Sequence, residues 1–304
     1  MASEQGPANP VSSRIERCYR HPDVVTGVHC TRCGRPICPD CMIEAPVGYQ
    51  CPECVKEARR AYRQGPGRRA RARSFAATSA VALLMATIVA MFVWEIFKSE
   101  GLNISGRALV ELGAMDPLLV ASGEWWRLLT ATILHGSILH IAFNAWALYV
   151  FGNVVEQIHG RWTTLGLFVF CGFLASVASY AAWPTDQLGQ PSVGASGAVF
   201  GLLGVFGVHA FRRREMAQYS AALRSVLFVV FINLVMGFSL TVVDNRAHIG
   251  GLVSGIAAGF LLEGVGPRNA HVPVRLIGFA ALIAAGVAAV AWRTAALKDL
   301  VPFL

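Results

Sequence analysis

The chain has 304 residues, of which 55% are hydrophobic and only 14% are charged, and its formal net charge is +8. Soluble domains average about 25% charged residues, so this composition excludes a soluble enzyme, including a soluble metalloenzyme. The deficit is uneven, because residues 1–73 are polar and basic whereas nearly everything from Phe75 onward is apolar. The sequence therefore predicts a small soluble head followed by a body that spans a membrane several times.

The head carries seven of the eight cysteines, all between residues 18 and 54. They form two-residue-spaced pairs with one histidine: Cys18 and His21, Cys30 and Cys33, Cys38 and Cys41, Cys51 and Cys54. Eight soft ligands at this spacing predict two tetrahedral Zn²⁺ sites. The alternative, a disulfide cluster, needs an oxidising compartment, and the orientation derived below places the head in the reducing cytoplasm.

The ligand pairs can be distributed over two zinc ions in different ways. In an interleaved arrangement, which resembles B-box and RING-type modules, one ion takes Cys18, His21, Cys38 and Cys41, and the other takes Cys30, Cys33, Cys51 and Cys54. Consecutive pairing is the alternative, and His29 could displace a neighbouring ligand. A head of this size buries too little to fold alone, so the metal is predicted to be structural. We predict a zinc-binding head over 1–55, serving a cytoplasmic partner or regulation, and a basic linker over 56–74.

The body contains seven apolar stretches bounded by charged or Gly/Pro-rich segments. A membrane-spanning helix needs about 20 apolar residues. No signal peptide is recognisable ahead of Phe75, so the first stretch is expected to remain as a span. The predicted spans are 75–97, 132–154, 162–183, 193–211, 222–242, 246–263 and 274–293, with a long connection over 98–131.

Basic residues concentrate in alternate connections and so predict the orientation. The expected inner segments contain Lys56, Arg59, Arg60, Arg63, Arg68, Arg69, Arg71, Arg73, Arg161, Arg212, Arg213, Arg214, Arg268 and Arg275. The expected outer loops contain only Lys98, Arg107, Arg127 and Arg246. The N-terminus is therefore predicted in the cytoplasm and the C-terminus outside. The basic run before the first span is explained by anionic lipid, so no nucleic-acid partner is expected.

Three polar motifs lie inside the spans, where each polar group is costly and needs a reason. The fourth span begins with Gly194-Ala195-Ser196-Gly197, and the second contains His140-x3-Asn144, whose side chains share one face. The sixth span contains Ala247-His248, followed by Gly251, Gly255 and Gly259 on the histidine's face. Each motif alone also fits plain helix packing or a structural polar contact.

The glycines predict which of these motifs meet. Gly197, Gly201 and Gly204 offer the fourth span a small-residue face that matches the glycine face of the sixth span. Close approach of these helices would bring Ser196 within hydrogen-bond reach of His248. In the predicted topology His140, Ser196 and His248 also share one depth, in the outer half of their spans. Asp244 lies one turn before His248 but is expected to point to the outer loop, so we predict a dyad.

Together these residues resemble the rhomboid family of intramembrane serine proteases over roughly 75–265. The elements of the match are Trp126-Arg127, His140-x3-Asn144, Glu156, the Gly-Ala-Ser-Gly run at 194–197, and Ala247-His248-x2-Gly251-x3-Gly255. The resemblance implies an all-α membrane protein with a rhomboid-like six-helix core over 75–265 and one further transmembrane helix over 266–304. The small N-terminal zinc head resembles that of some bacterial, particularly actinobacterial, members.

The resemblance also implies roles. Ser196 would be the nucleophile and His248 its general base, while His140, Asn144 and the Ser196 N–H would hold the oxyanion. Phe200 would stack on the His248 ring. Trp126, Arg127 and Glu156 would be structural, and no cofactor would serve catalysis. The expected substrates are single-spanning proteins in the lipid bilayer, cut by a multi-pass protein of a bacterial plasma membrane.

The sequence argues against two other functions. A non-catalytic rhomboid-like protein would bind membrane proteins or escort them for quality control, but such relatives typically lack the serine or the histidine. A transporter or channel predicts polar residues near the mid-membrane or an internal repeat, whereas here the polar cluster lies at one outer depth.

Overall fold

The computed structural model describes residues 16–45, 47–64, 79–188, 190–239, 243–264 and 271–298. The chain divides into two compact units, Met1–Phe75 and Ala76–Leu304. Each unit has a core of its own: buried cysteines in the first and apolar helix faces in the second.

The head is organised around its cysteines. A two-stranded antiparallel sheet, β1 (Ile43–Glu44) and β2 (Tyr49–Gln50), is followed by helix α1 (Pro52–Gln64). Among the described residues of the head, Ile37 is the only large aliphatic side chain that is buried. Helix α1 extends into the segment predicted as a linker, and residues 65–74 of that segment lie outside the described residues. So small an apolar core agrees with a fold that depends on metal.

The second unit is helical throughout its described elements. In chain order its helices are α2 (Ala80–Ser99), α3 (Gly106–Leu112), α4 (Pro117–Ala121), α5 (Arg127–Thr130), α6 (Ile138–Ala147), α7 (Asn153–His159), α8 (Arg161–Ala181), α9 (Ser196–Arg212), α10 (Ala217–Ser239), α11 (Asn245–Glu263) and α12 (His271–Leu297). A π-helical turn, Leu148–Gly152, joins α6 to α7.

Five helical segments among the described residues are long and apolar enough to cross a membrane. They are α2, the continuous segment Ile138–His159, α8, α10 and most of α12. Helix α9 is apolar but shorter, and α11, although 19 residues long, is not among the five. A mostly helical membrane protein with five to six apolar helices is thus confirmed, while the full set of seven spans stays a prediction.

The second predicted span, 132–154, is misplaced by about one and a half turns at each end. The helix begins only at Ile138, because the side chain of Ser137 caps it by accepting the N–H of His140. Before the cap, residues 131–133 form a 3₁₀ turn and Leu134 is extended. Hydropathy alone does not register a cap inside an apolar run, so the predicted span includes this turn.

Helices α9 and α11 make the most intimate contact of the unit, and both pack against α8. A Cβ added to Gly251 would collide with the carbonyl oxygen of Gly197, and one added to Gly255 would collide with that of Gly201. On the α9 side, a Cβ at Gly204 would lie 2.7 Å from the Leu252 carbonyl oxygen. The predicted pairing of the two glycine faces is therefore present, backbone against backbone.

The connection over 98–131 is held by Arg127, which is 5% exposed. Its Nη1 donates to the carbonyl oxygens of Val110 at 2.7 Å and Ala114 at 3.1 Å, and its Nε donates to Glu124. The guanidinium also lies 4.7 Å from the Trp126 ring centroid. Arg127, with Trp126 beside it, thus connects the end of α3 to the start of α5.

Glu156 holds the beginning of α2. Its carboxylate accepts the Ser79 hydroxyl at 2.8 Å and the N–H groups of Ala80 and Val81 at 3.0 Å each. The first N–H groups of a helix have no partner within it, and a carboxylate there also complements the helix dipole. Glu156 therefore ties α7 to the start of the first membrane helix.

Candidate active site

Ser196 is the first residue of α9 and follows a segment whose backbone is hydrogen-bonded to two other parts of the chain. Met115 and Ser192 exchange two backbone hydrogen bonds, at 3.0 and 2.8 Å. The N–H of Gly194 donates to the carbonyl oxygen of Ala131 at 2.9 Å. The serine is therefore presented at a fixed helix start.

His248 lies in the first turn of α11 and meets this serine. Its Nε2 is 2.8 Å from the Ser196 Oγ, although the two residues are 52 positions apart. The histidine is 7% exposed and the serine is half-buried. Within the described part of the chain, the His248 Nδ1 is buried and has no hydrogen-bond partner. With Nε2 free to accept, the serine hydroxyl can donate to the imidazole, which is the geometry of a nucleophile and its base.

The ring of Phe200 holds the imidazole plane. The two rings are stacked with centroids 4.4 Å apart and an interplanar angle of 6°. Phe200 lies one turn after Ser196, so a single helix supplies both the serine and the surface against which its partner rests. This contact restricts rotation of the His248 ring without a hydrogen bond.

His140 approaches the same serine from α6. Gly194 lies between them with a φ of +131°, and a Cβ placed there would be 2.7 Å from the His140 Nε2 and 3.7 Å from the Ser196 Oγ. The Gly136 N–H points to the His140 Nδ1 at 3.4 Å. If Nδ1 accepts, the proton of the neutral ring lies on Nε2, which faces the serine and can donate to an oxyanion.

Asn144 is 5% exposed and lies one turn after His140 on α6. Its Nδ2 donates to the His140 carbonyl oxygen at 2.9 Å. An amide nitrogen carries two hydrogens, so this contact leaves one for a second acceptor. The Ser196 N–H belongs to the first turn of α9, where helix N–H groups have no partner inside the helix. The His140 Nε2 and the Ser196 N–H thus lie beside the serine hydroxyl, and Asn144 follows His140 by one turn of α6.

Asp244 stabilises the start of α11 and does not accept a hydrogen bond from the His248 imidazole. It is the N-cap of α11, and its Oδ1 accepts first-turn N–H groups, including that of Arg246 at 3.2 Å. Its Oδ2 accepts the hydroxyls of Ser179 and Ser192, the latter at 2.8 Å. The carboxylate therefore joins α8, the segment before α9 and α11, and both of its oxygens are engaged.

The two sets of ligands in the head are interleaved. The ligand atoms of each set lie within 4.8 Å of one another; the sets are Cys18, His21, Cys38, Cys41 and Cys30, Cys33, Cys51, Cys54. Consecutive pairing is therefore wrong for this fold, and His29 contacts Glu16 instead of joining either set. Cys₃His and Cys₄ sets are those of structural zinc sites, so the residues fit the predicted metal.

Local donors prepare two of these thiols for metal. Burial raises the pKa of Cys18, but backbone N–H groups near it outweigh this effect and lower its pKa to about 6. Burial also raises the pKa of Cys30, but N–H groups that include that of Cys51 outweigh this effect and lower its pKa to about 6. Because the thiolate is the ligand form, both positions offer ligands at neutral pH.

A third group, His159, His209 and Glu263, also places its ligand atoms within 4.8 Å of one another. Here, however, the Arg213 Nη1 lies 2.8 Å from the Glu263 Oε2 and 3.0 Å from the His209 Nδ1. A guanidinium thus occupies the space that a cation would need. The group is a charge network that joins the ends of α9 and α11.

Sequence reasoning missed Glu95 in α2. It is the single acidic residue of that apolar helix, it is fully buried, and its Oε1 accepts the His135 N–H at 2.9 Å. A carboxyl inside an apolar run was the signal that could have found it. His135 is also fully buried, and its ring lies 5.1 Å from that of His140.

The sequence is similar to those of proteins named as rhomboid proteases. A family model described as the Rhomboid domain matches residues 122–264, a range that contains the serine, both site histidines and Asn144. Rhomboid protease GluP of Bacillus subtilis (strain 168) is 38% identical over 200 residues, which are 66% of this chain and 37% of GluP.

Two further relatives agree. Putative rhomboid protease YdcA of the same organism is 32% identical over 142 residues, 47% of this chain and 69% of YdcA. Rhomboid-like protease 2 of Toxoplasma gondii is 34% identical over 180 residues, 59% of this chain and 62% of that protein. The chain thus spans more than two thirds of YdcA but less than two thirds of the other two.

Proposed function

This chain belongs to the rhomboid family, and from that premise we propose that it is a serine endopeptidase that cleaves membrane-spanning proteins within or beside the bilayer. The observation that carries the proposal is the 2.8 Å contact between the Ser196 Oγ and the His248 Nε2. A serine hydroxyl is a weak nucleophile at neutral pH and needs an adjacent base. Asp244, the acidic N-cap of α11, has both carboxylate oxygens engaged elsewhere, so the proposed machinery is a dyad.

In the proposed reaction, the Ser196 Oγ attacks the carbonyl carbon of the scissile peptide bond while its proton passes to the His248 Nε2. The tetrahedral intermediate collapses as the C–N bond breaks, and the imidazolium gives the proton to the departing amine. A water molecule then attacks the acyl-enzyme ester, with His248 again taking and returning a proton. The serine hydroxyl is regenerated and the new carboxyl end leaves.

The negative oxygen of each tetrahedral intermediate needs donors that are already in place. We assign this role to the His140 Nε2, the Ser196 N–H and the remaining N–H of Asn144. Removal of one such donor from a hydrolase costs about 3 kcal/mol in transition-state stabilisation. Gly194 keeps the space between the imidazole and the serine open for the oxygen.

The expected partners follow from the family and from charge. Single-spanning membrane proteins are proposed as substrates. The excess of arginine and lysine before α2 and in alternate connections supports a cytoplasmic N-terminus and an extracytoplasmic C-terminus in a bacterial plasma membrane. Two structural Zn²⁺ ions are proposed for the head, which would serve a cytoplasmic partner or regulation. Catalysis needs no cofactor in this proposal.

The test is cleavage of single-span reporters by purified protein in liposomes. We expect the wild type to cleave, and Ser196→Ala and His248→Ala each to lose at least about 10³-fold in kcat/KM, because dyad members act as a unit. Ser225→Ala is the matched control: this serine is exposed on α10 and its hydroxyl bonds only its own helix. Cleavage by Ser196→Ala would contradict the assigned nucleophile. Silence of the wild type on several reporters would favour a non-catalytic membrane-protein binder.

A further inference from the structure

Glu95 is a carboxyl with no exposed surface inside the apolar helix α2. A carboxyl in such surroundings is costly unless its contacts repay the loss of water. The proposed reaction does not use it, and α2 contributes no other polar group to the site. Its contacts therefore point to what it does.

The contact that Glu95 makes is with a backbone bend. Its Oε1 accepts the N–H of His135 at 2.9 Å, across 40 positions of sequence. This N–H lies between the 3₁₀ turn at 131–133 and the cap of α6, where no helix partner is available. Glu95 thus supplies the acceptor that keeps this buried bend in one conformation.

The bend touches His140 on two sides. The next N–H along the chain, that of Gly136, points to the His140 Nδ1 at 3.4 Å. The His135 ring is fully buried and meets the His140 ring edge to face, with centroids 5.1 Å apart. The bend thus contacts the His140 ring and directs a backbone donor at its Nδ1.

We propose that Glu95 is a positioning residue for the oxyanion donor His140, acting through the backbone of residues 135 and 136. The inference rests on the proposed function, because it assigns His140 to the oxyanion. Glu95 does not touch the reacting atoms. It keeps the His140 Nε2 protonated and aimed at the space beside Gly194. The role requires a hydrogen-bond acceptor and does not require a charge.

The first experiment is a double-mutant cycle in liposomes. Glu95→Leu is expected to lower kcat by about 10²-fold, the order of loss that a misplaced catalytic group produces, with KM within about twofold of wild type. Glu95→Gln keeps an acceptor and is expected to retain most of the activity. In the His140→Ala background, Glu95→Leu is expected to cause no further loss.

Two kinetic outcomes overturn the proposal. An equal loss from Glu95→Leu in both backgrounds would mean that Glu95 acts on stability and not through His140. Equal losses in Glu95→Gln and Glu95→Leu would mean that an acceptor is not what matters. Thermal unfolding of each variant shows whether it is folded. If Glu95→Leu does not fold, Glu95→Met replaces it in both backgrounds.

A second measurement does not depend on turnover. In the Ser196→Ala protein, ¹⁵N chemical shifts of the His140 ring report which nitrogen carries the proton. We expect the proton on Nε2 with Glu95 or Gln at this position, and a mixture of tautomers with leucine. Identical spectra would overturn the positioning role, even if the wild type cleaved no reporter. Failure of this inference can therefore be told apart from failure of the proposed function.

Discussion

At the scale of single residues, Gly194 lies between His140, the proposed oxyanion donor, and Ser196, the proposed nucleophile. Its φ of +131° is a conformation that L side chains rarely adopt, and the position of its missing Cβ is next to the His140 Nε2. Two separate costs therefore accompany any substitution: backbone strain and displacement of the imidazole.

Gly194→Ala is predicted to lower kcat/KM by about 10²-fold, because a catalytic group moved by about 1 Å loses activity on that order. Gly123→Ala is the matched control, since Gly123 has a φ of +112° but nothing within 4 Å of an added Cβ. It carries the same strain without the collision and is expected to leave kcat/KM within about threefold. Comparable losses in the two variants would assign the effect to strain alone. Reporter cleavage at several substrate concentrations makes the comparison.

Phe200 is the other residue on which the proposed dyad depends. Its ring stacks flat on one face of the imidazole, whereas the acidic third member of a triad would lie in the ring plane and accept from Nδ1. Its aromatic face excludes water from one side of the base and fixes the plane in which the Nε2 meets the serine hydroxyl.

At the scale of elements, the contact between α9 and α11 brings the two residues of the proposed dyad together. The two helices approach so closely that the carbonyl oxygens of Gly197 and Gly201 lie where a Cβ atom would be if Gly251 and Gly255 carried side chains. Because Ser196 and His248 both lie at the first turns of these helices, their separation is set by this interaxial distance.

Gly255→Ala is predicted to destabilise the membrane unit by about 1–3 kcal/mol, the cost of overpacking a close contact, and to lower kcat as the helices separate. Gly166→Ala is the control on α8: nothing lies within 4 Å of its added Cβ, so it should stabilise the helix by about 0.5–1 kcal/mol. Opposite signs in thermal unfolding would support the interlocked contact. A Gly255→Ala protein as stable as Gly166→Ala would show that the helices can separate without cost.

At the scale of the whole molecule, the chain combines two units that are stabilised in different ways. The head has almost no aliphatic core, and two interleaved ligand sets connect its segments. The membrane unit is stabilised by apolar helix faces and a few buried polar contacts, such as Glu156 at the start of α2.

Zinc counting by native mass spectrometry tests the interleaved arrangement. We predict two zinc ions in the wild type and in Cys171→Ala, since that thiol is buried in α8. The pair Cys18→Ala with Cys41→Ala removes ligands from one interleaved set and should release one ion. The pair Cys18→Ala with Cys33→Ala removes a ligand from each set and should release both. Consecutive pairing would give the reverse result.

Much of this molecule follows from local patterns in the sequence. Apolar runs locate the membrane helices to within a few residues, except where Ser137 caps a helix inside such a run. The two-residue spacing of the cysteines predicts metal ligation, because that spacing suits a tetrahedral ion. Glycines at four-residue intervals define which faces of α9 and α11 can approach, since side chains recur on one face with the period of the helix.

What the tertiary structure decided is which distant groups meet. The 2.8 Å contact of Ser196 with His248, the collision that Gly194 avoids with His140, and the hydrogen bond of Glu95 to the His135 N–H each join separate elements. Periodicity specifies the face on which a side chain lies, but not the rotation and depth at which that face meets its neighbour. Those are set by packing of the whole bundle, so the dyad was predictable as a pairing of helices, whereas the support of His140 by Glu95 required the folded chain.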